Sequence, residues 1–280
     1  TIAGRIRKNS APCRPTLPIF SSAVFIERTR GLLSMDVGMH YDSLLALHYT
    51  WIYGGFETKI AENRAFFERH GIRATRPDSR ALDLGAGSGF QSIPLADAGF
   101  AVTAVDFSTS LLAELAEHAG DRRIETVPGD IATFPLDALA PDLVVCMGDT
   151  LTHLADETTA FALVARVARA LAPGGRLVLT FRDLGHELTG PARFIPVRSE
   201  ADRIFTCFLE YKTEHVIVHD IVHARAGDGG WTMRVGSYAK AIINPERLAE
   251  TAAACGLRLE HLSTERGLVE YIGRKPSTGR

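Results

Sequence analysis

Asp83, the glycines at 85, 87 and 89, and Asp106 carry the densest chemistry in the chain. The run Asp83-Leu84-Gly85-Ala86-Gly87-Ser88-Gly89 follows a short apolar stretch, 81–84, that reads as a buried strand. Three glycines in alternation make a turn that lets the backbone run close beneath a ligand. Residues 90–98 have helical spacing and stop at Gly99, so the turn opens into a helix N-terminus. A second apolar strand, 100–105, ends in Asp106, where an acid meets ribose hydroxyls in nucleotide-binding α/β folds. A dinucleotide fingerprint would put its third glycine at position 90, which is Phe. An anionic pyrophosphate would also meet Asp83 unfavourably, whereas a ligand with a cationic end would not.

Further along, Asp149 and His153 stand just past a fourth apolar strand, where a proton acceptor could work. A structural His that orients the loop is the alternative for His153. Arg182 follows the strand 176–181 directly, so its guanidinium emerges at a carboxyl end, as a substrate clamp or as a partner for an acid such as Asp183. Adjacent residues on an extended segment point to opposite sides, which weakens the Asp183 pairing. His215, His219 and His223 invite a metal reading. Their segment is β-branched, however, and on a strand i to i+4 spans about 13 Å, too far for shared ligation.

Five alternations of strand and helix position these groups. Strands at 81–84, 100–105, 124–127, 141–148 and 176–181 are separated by helices at 90–98, 108–119 and 157–171 and by shorter links. Ser108 is the expected cap of the second helix. The pattern implies a parallel doubly wound sheet with its ligand at the strands' carboxyl ends. Residues 203–211, 215–225 and 231–243 alternate and read as an antiparallel meander inserted after strand five. A helix at 245–255 and a hairpin at 257–262 and 268–272 complete the sheet. Residues 35–71 have helical spacing, interrupted by Thr50-Trp51-Ile52-Tyr53-Gly54-Gly55, a lid or the packing face of two helices.

Composition narrows the setting. A chain of 280 residues with 46% hydrophobic content supports one α/β domain with an added lobe, or at most two domains. The net charge of −2 offers no basic field for nucleic acid. No apolar run approaches the ~20 residues that span a bilayer. Cys13, Cys146, Cys207 and Cys255 form no Cys-x-x-Cys pair, which argues for a reducing, cytoplasmic compartment and against a zinc site. Residues 1–34 are Arg-rich, hold the single acid Glu27, and lack apolar periodicity. They read as a disordered extension upstream of a start at Met35, or as a targeting peptide.

The motif Asp83–Gly89 with Asp106 resembles that of the class I S-adenosylmethionine (SAM)-dependent methyltransferases. Across roughly 41–257 the chain is similar to their glycine N-methyltransferase-like branch. The resemblance rests on Tyr53-Gly54-Gly55 through Lys59-Ile60-Ala61-Glu62, on Val144–Leu154, on Leu177–Phe181 with Arg182, and on Ser237-Tyr238. It implies a Rossmann-like, doubly wound seven-stranded α/β methyltransferase sheet in residues 35–280. That sheet carries an N-terminal helical cap (35–75) and an antiparallel β insertion (190–243) after strand five.

The implied cofactor contacts are Tyr53, Lys59, Asp83, Gly85, Ala86, Gly87, Asp106, Phe107, Asp130, Ile131 and Met147. Asp106 would hold the ribose, and Asp130 with Ile131 would lie by the adenine. Lys59 stands where the family has an Arg for the SAM carboxylate, and Asp149 where it usually has Asn. Arg182, Tyr238, Tyr41 and Tyr49 are the implied substrate contacts, with Arg182 binding a carboxylate. Other tyrosines of the family's amine pocket have no counterpart, and Ile221 and Val197 stand near those places.

The expected activity is methyl transfer from SAM, leaving S-adenosylhomocysteine, to the N or O of a small carboxylate-bearing molecule, with no metal, nucleic acid or membrane partner. A SAM-binding regulator without turnover and an NAD-binding oxidoreductase are the alternatives. An intact loop at 149–153 opposes the first, and Phe90 with Asp83 opposes the second. No Asn/Asp-Pro-Pro-aromatic tetrad follows strand four, which argues against adenine-amino DNA methylation.

Overall fold

A computed structural model of the protein describes residues 49–136, 139–227 and 229–277, with Tyr49 described by its backbone only. The 1–34 extension, Tyr41 and most of the first half of the helical cap lie outside the described residues.

Strand β1 (Arg80–Leu84) lies centrally, parallel to β2 (Ala101–Asp106) on one side and β4 (Leu143–Cys146) on the other. Beyond them come β3 (Ile124–Pro128) and β5 (Arg176–Arg182), again parallel. β11 (Leu268–Arg274) pairs antiparallel with β5, and β10 (Arg258–Glu265) closes that edge. The sheet order is β10-β11-β5-β4-β1-β2-β3, seven strands as the resemblance implies. β4 is buried at every position because helices cover both faces of a parallel sheet, which is why it reads as an unbroken Leu-Val-Val-Cys run. Each such Leu or Val contributes about 1.5–3 kcal/mol through burial.

The helices follow from their ends. α1 (Tyr49–Ile52) and α2 (Phe56–Arg69) meet at Gly54 and Gly55, both at positive φ. α3 (Ser92–Asp97) is shorter than the expected 90–98 stretch because Phe90 and Gln91 belong to the glycine turn. α4 (Thr109–Ala119) starts at Ser108, whose side chain accepts from the Leu111 N–H. α5 (Glu157–Ala170) is capped by Asp156, which accepts from the Thr159 N–H at 2.7 Å. α6 (Pro245–Ala254) begins behind Asn244, which accepts from the Arg247 N–H.

The insertion is a separate four-stranded antiparallel sheet in the order β6-β7-β8-β9 (Phe194–Ser199, Arg203–Tyr211, His215–Arg225, Trp231–Ala241). β6 is absent from the sequence reading. It carries Pro196, at which its register with β7 slips, and an edge strand tolerates that lost donor. Along β8 burial alternates, with Val216, Val218, Asp220 and Val222 turned inward. Trp51 and Ile52 pack against that inward cluster, and Arg198 and Arg203 lie over the Trp51 ring at 5.6 and 4.9 Å. The aromatic segment is not the packing face of two helices: α1 seats on the meander, and Ile52, Tyr53 and Gly54 border the cleft beneath it.

Candidate active site

The glycine turn is held from below and behind. Gly85 and Ala86 donate their N–H groups to the Val105 carbonyl, and Gly89 donates to that of Ala86. Gly85 has φ +78°, and a Cβ there would come within 2.2 Å of the Thr150 methyl. At Gly89, with φ +89°, a Cβ would sit 2.1 Å from Leu115. The turn therefore needs glycine at these two positions for packing against its own protein. Close approach by a ligand is not required to explain them.

Asp106 is buried and accepts from the Gly87 N–H at 2.9 Å and the Ser108 N–H at 2.8 Å. These bonds fix the orientation of the carboxylate at the end of β2. Ser88 and Thr50 donate to the two oxygens of Glu114, tying the turn to α1 and α4. Asp83 lies fully buried beneath the turn; Ser92 donates to its Oδ2 at 2.6 Å, and Oδ1 has no hydrogen-bond partner among the described residues. Burial pushes its carboxyl up to about 7, with repulsion from Asp106 adding to the rise and the Ser92 bonds opposing it. A buried carboxylate oxygen without a partner among the described residues, beside a glycine turn, fits a ligand that brings a cation, as the ammonium of SAM's amino-acid end does. The orphan oxygen, the oriented Asp106 and the glycine turn together suit SAM.

The remaining cofactor candidates are spread around this turn. Ile131 and Ala86 are buried, Asp130 is exposed with its Oδ1 accepting from the Ala132 N–H, and Phe107 is 44% exposed. Met147 packs into the core beside Leu143 and Val145. The Tyr53 ring meets Phe90 edge-on at 5.6 Å, and Lys59 Nζ lies 5.7 Å from the Tyr53 ring while pairing with Glu62 at 2.8 Å.

A cleft of about 940 Å³ opens between the strand ends, Tyr53 and Lys59, and the inner face of the meander. It brings together Asp149, His153, Arg182 and Tyr238 from the sequence reading. Asp149 sits at φ +77°, in the left-handed region, immediately before a 3₁₀ turn (Thr150–His153). Its Oδ1 accepts from the Arg182 N–H at 2.8 Å and from Thr152 Oγ1 at 3.0 Å, and its Oδ2 is ion-paired to Lys240. Burial alone would raise this carboxyl. The charges of Lys240 and His153, with the hydrogen bonds from Lys240 and the Arg182 N–H, outweigh it and hold the group below the usual carboxylate range. His153 stacks on Tyr238 with ring centroids 5.2 Å apart.

Arg182 is exposed at the end of β5 and donates from Nη1 to the Arg266 carbonyl at 3.3 Å. Asp183 instead accepts from the Gly185 N–H, so the adjacent acid is not its partner. Val197 lines the cleft, whereas Ile221 lies on the outward side of β8 and is no pocket residue. His215, His219 and His223 share that outward side, and His219 pairs with Glu210 at 3.1 Å.

Sequence reasoning missed Lys240 and Asp220. Lys240 is two residues from Tyr238, so strand alternation alone puts both on one face. Its partner Asp149 lies 91 positions earlier, and no local pattern reports such a pair. Asp220 is the acid among the inward valines of β8 and accepts from the Cys207 thiol at 3.1 Å.

Residues 81–175 match the family model of a methyltransferase domain. This sheet order, with the glycine turn and the acid at the end of β2, is the fold of the class I SAM-dependent methyltransferases. It is 35% identical over 139 residues to the cypemycin N-terminal methyltransferase of a Streptomyces species, covering 48% of this chain and 56% of that protein. It is 27% identical over 186 residues to rat glycine N-methyltransferase, covering 60% and 61%. The chain thus spans between about half and three fifths of the length of these curated relatives. Its fold matches that of SAM-bound CalS10, an amino pentose methyltransferase from Micromonospora echinaspora, with a TM-score of 0.66 at 20% identity over 82% of this chain and 96% of that one. No helix among the described residues is long and apolar enough to cross a membrane.

Proposed function

We propose that the protein transfers a methyl group from SAM to the nitrogen, or oxygen, of a small molecule that also carries a carboxylate. The observation that carries this reading is Arg182. Its guanidinium stands in the cleft at the carboxyl end of β5, bonded to a backbone carbonyl and to no acid among the described residues. Lys240 neutralises Asp149 beside it, so the acid in the family's Asn position does not repel an anionic substrate. The relatives named as glycine and N-terminal methyltransferases support an amine acceptor.

When bound, SAM supplies an electrophilic methyl carbon. The protein's part is placement and proton handling. Asp83, the turn at 85–87 and Asp106 would hold the cofactor, with Asp130 and Ile131 at its adenine end. Arg182 would fix the substrate carboxylate through a two-pronged contact and so aim the nucleophile, an orientation effect that accounts for much of the rate of in-line displacements. Asp149, held ionised and already engaged by Lys240, Thr152 and the Arg182 backbone, is poorly suited to accept a proton. Its work is to fix Arg182 and Lys240. His153, beside Tyr238 in the cleft wall, is the group placed to take the proton a substrate amine or hydroxyl gives up.

Arg182→Lys tests the clamp. Methyl transfer to carboxylate-bearing acceptors, found by screening a metabolite extract with labelled SAM, should fall by about 10²-fold while SAM affinity stays within about twofold. Normal turnover in this variant, or an uncharged acceptor, would show Arg182 to be structural.

A further inference from the structure

Among the described residues, three metal-capable side chains from three elements converge away from the cleft. They are His70 at the C-terminal end of α2, His261 on β10 and Glu270 on β11. One ligand atom of each lies within 4.8 Å of the others. Glu270 Oε2 is 3.7 Å from His70 Nε2 and 3.5 Å from His261 Nε2. A zinc ion bound tetrahedrally at about 2.0–2.2 Å holds neighbouring ligand atoms about 3.3–3.6 Å apart. The two histidine–carboxylate separations are already near that spacing.

The arrangement follows from local structure. β10 and β11 pair antiparallel with Ser263 opposite Glu270, and His261 lies two residues before Ser263, so all three share one face of the hairpin. His70 is brought over that face by α2. Its N–H donates to the Phe66 carbonyl, its ring lies 4.6 Å from Phe66, and its own carbonyl accepts from Arg176. The three side chains are 13%, 33% and 21% exposed for His70, His261 and Glu270, sheltered yet open to an entering ion. Arg69 touches the cluster, 3.5 Å from Glu270 Oε1 and donating to His70 Nε2 at 3.4 Å. Its side chain is 60% exposed, so it can swing into water, and its Glu270 contact is on the oxygen that does not face the histidines.

We propose that His70, His261 and Glu270 bind a divalent transition-metal ion of the zinc type, which staples the end of α2 to the β10–β11 hairpin. Two imidazole nitrogens and one carboxylate oxygen suit zinc and its neighbours, whereas calcium and magnesium ask for all-oxygen shells. A fourth position goes to water or to Ser263 Oγ, which lies 3.1 Å from His261 Nε2. The staple is structural in kind. It joins the helix that bears Lys59 to the hairpin whose Thr264, Arg266 and Gly267 line the cleft. The inference is independent of the reading of the cleft.

The test uses the full chain, freed of metal by chelator and titrated calorimetrically with zinc chloride. The wild type should take up one ion per chain and gain thermal stability in zinc. His261→Gln and Glu270→Gln, both surface strand changes whose folding is checked by circular dichroism, should each bind zinc on the order of a hundredfold more weakly and lose the thermal gain. His219→Gln, on the outer face of the meander, should bind as the wild type does. Cobalt substituted for zinc should give intense visible absorption in the wild type and lose it in the two variants. No uptake by the wild type, or equal uptake by His261→Gln and Glu270→Gln, would overturn the proposal, the latter marking an adventitious ion on other histidines.

Discussion

Replacing Asp83 with Asn isolates the energetic cost of the carboxyl beneath the glycine turn. The substitution keeps the shape and an oxygen for the Ser92 hydroxyl, and removes the titrating group. In the folded protein burial raises the Asp83 carboxyl from an ordinary 3.8 to about 7. The folded state therefore binds the proton more tightly than the unfolded chain between those values, and stability falls as pH rises through that window. The contribution is fully present below about pH 4 and gone once pH passes about 7. At about 1.4 kcal/mol per pH unit, the loss comes to about 4 kcal/mol. Other carboxyls bend the raw curve the opposite way in acid, Asp149 among them, so the informative quantity is Asp83→Asn minus wild type. Urea unfolding followed by circular dichroism at steps from pH 4.5 to 8.5 measures it. The variant should gain on the wild type by about 3–4 kcal/mol across that range, most of it between pH 5 and 7. A difference that is flat with pH would mean that Asp83 is hydrated or paired in solution, and the case for an orphan oxygen awaiting a cation would go with it.

Two other substitutions test the framework. Gly89→Ala should cost about 2–4 kcal/mol, because the new Cβ meets Leu115 at 2.1 Å and the position has φ +89°; a thermal melt within a degree or two of wild type would contradict the packing account of this glycine. Lys240→Met should cost about 3–5 kcal/mol by leaving the Asp149 charge without its counter-ion, and Asp149→Asn added to it should restore most of that loss; an additive double variant would show that the pair is not coupled.

The parallel half of the fold was legible because its signals are local. Buried strands read as apolar runs, Gly99 closes the stretch after the turn, and Ser108 caps α4 where a cap was expected. Asp83, the turn and Asp106 lie within 24 residues, so the strand–turn–helix–strand unit that carries them left a local pattern. The cleft and the His70 cluster are both assembled across long separations. Lys240 reaches Asp149 over 91 positions, and His70 meets Glu270 over 200, so neither pairing leaves a trace in any window of sequence. β6 was invisible for another reason: Pro196 and a register slip break the alternation that advertises a strand. At 85 and 89 glycine is already required by Thr150 and Leu115, side chains from distant elements that no local pattern reports.

β11 runs against the other strands at its edge of the sheet, and this reversal has a consequence for how the protein can diversify. A parallel strand would deliver its start to the far side of the sheet. The antiparallel one delivers the β10–β11 turn to the ligand side, where Gly267 accepts from the Asp183 N–H and Arg266 from Arg182. A two-residue hairpin tip thus borders the cleft proposed to take the acceptor, while the proposed cofactor loops come from the first half. Gly267 has open space around it and no packing duty like that of Gly85 or Gly89. Exchanging or lengthening that tip reshapes one wall of the cleft and leaves the glycine turn untouched, so on the proposed reading acceptor preference can drift through small changes there while the methyl donor stays the same.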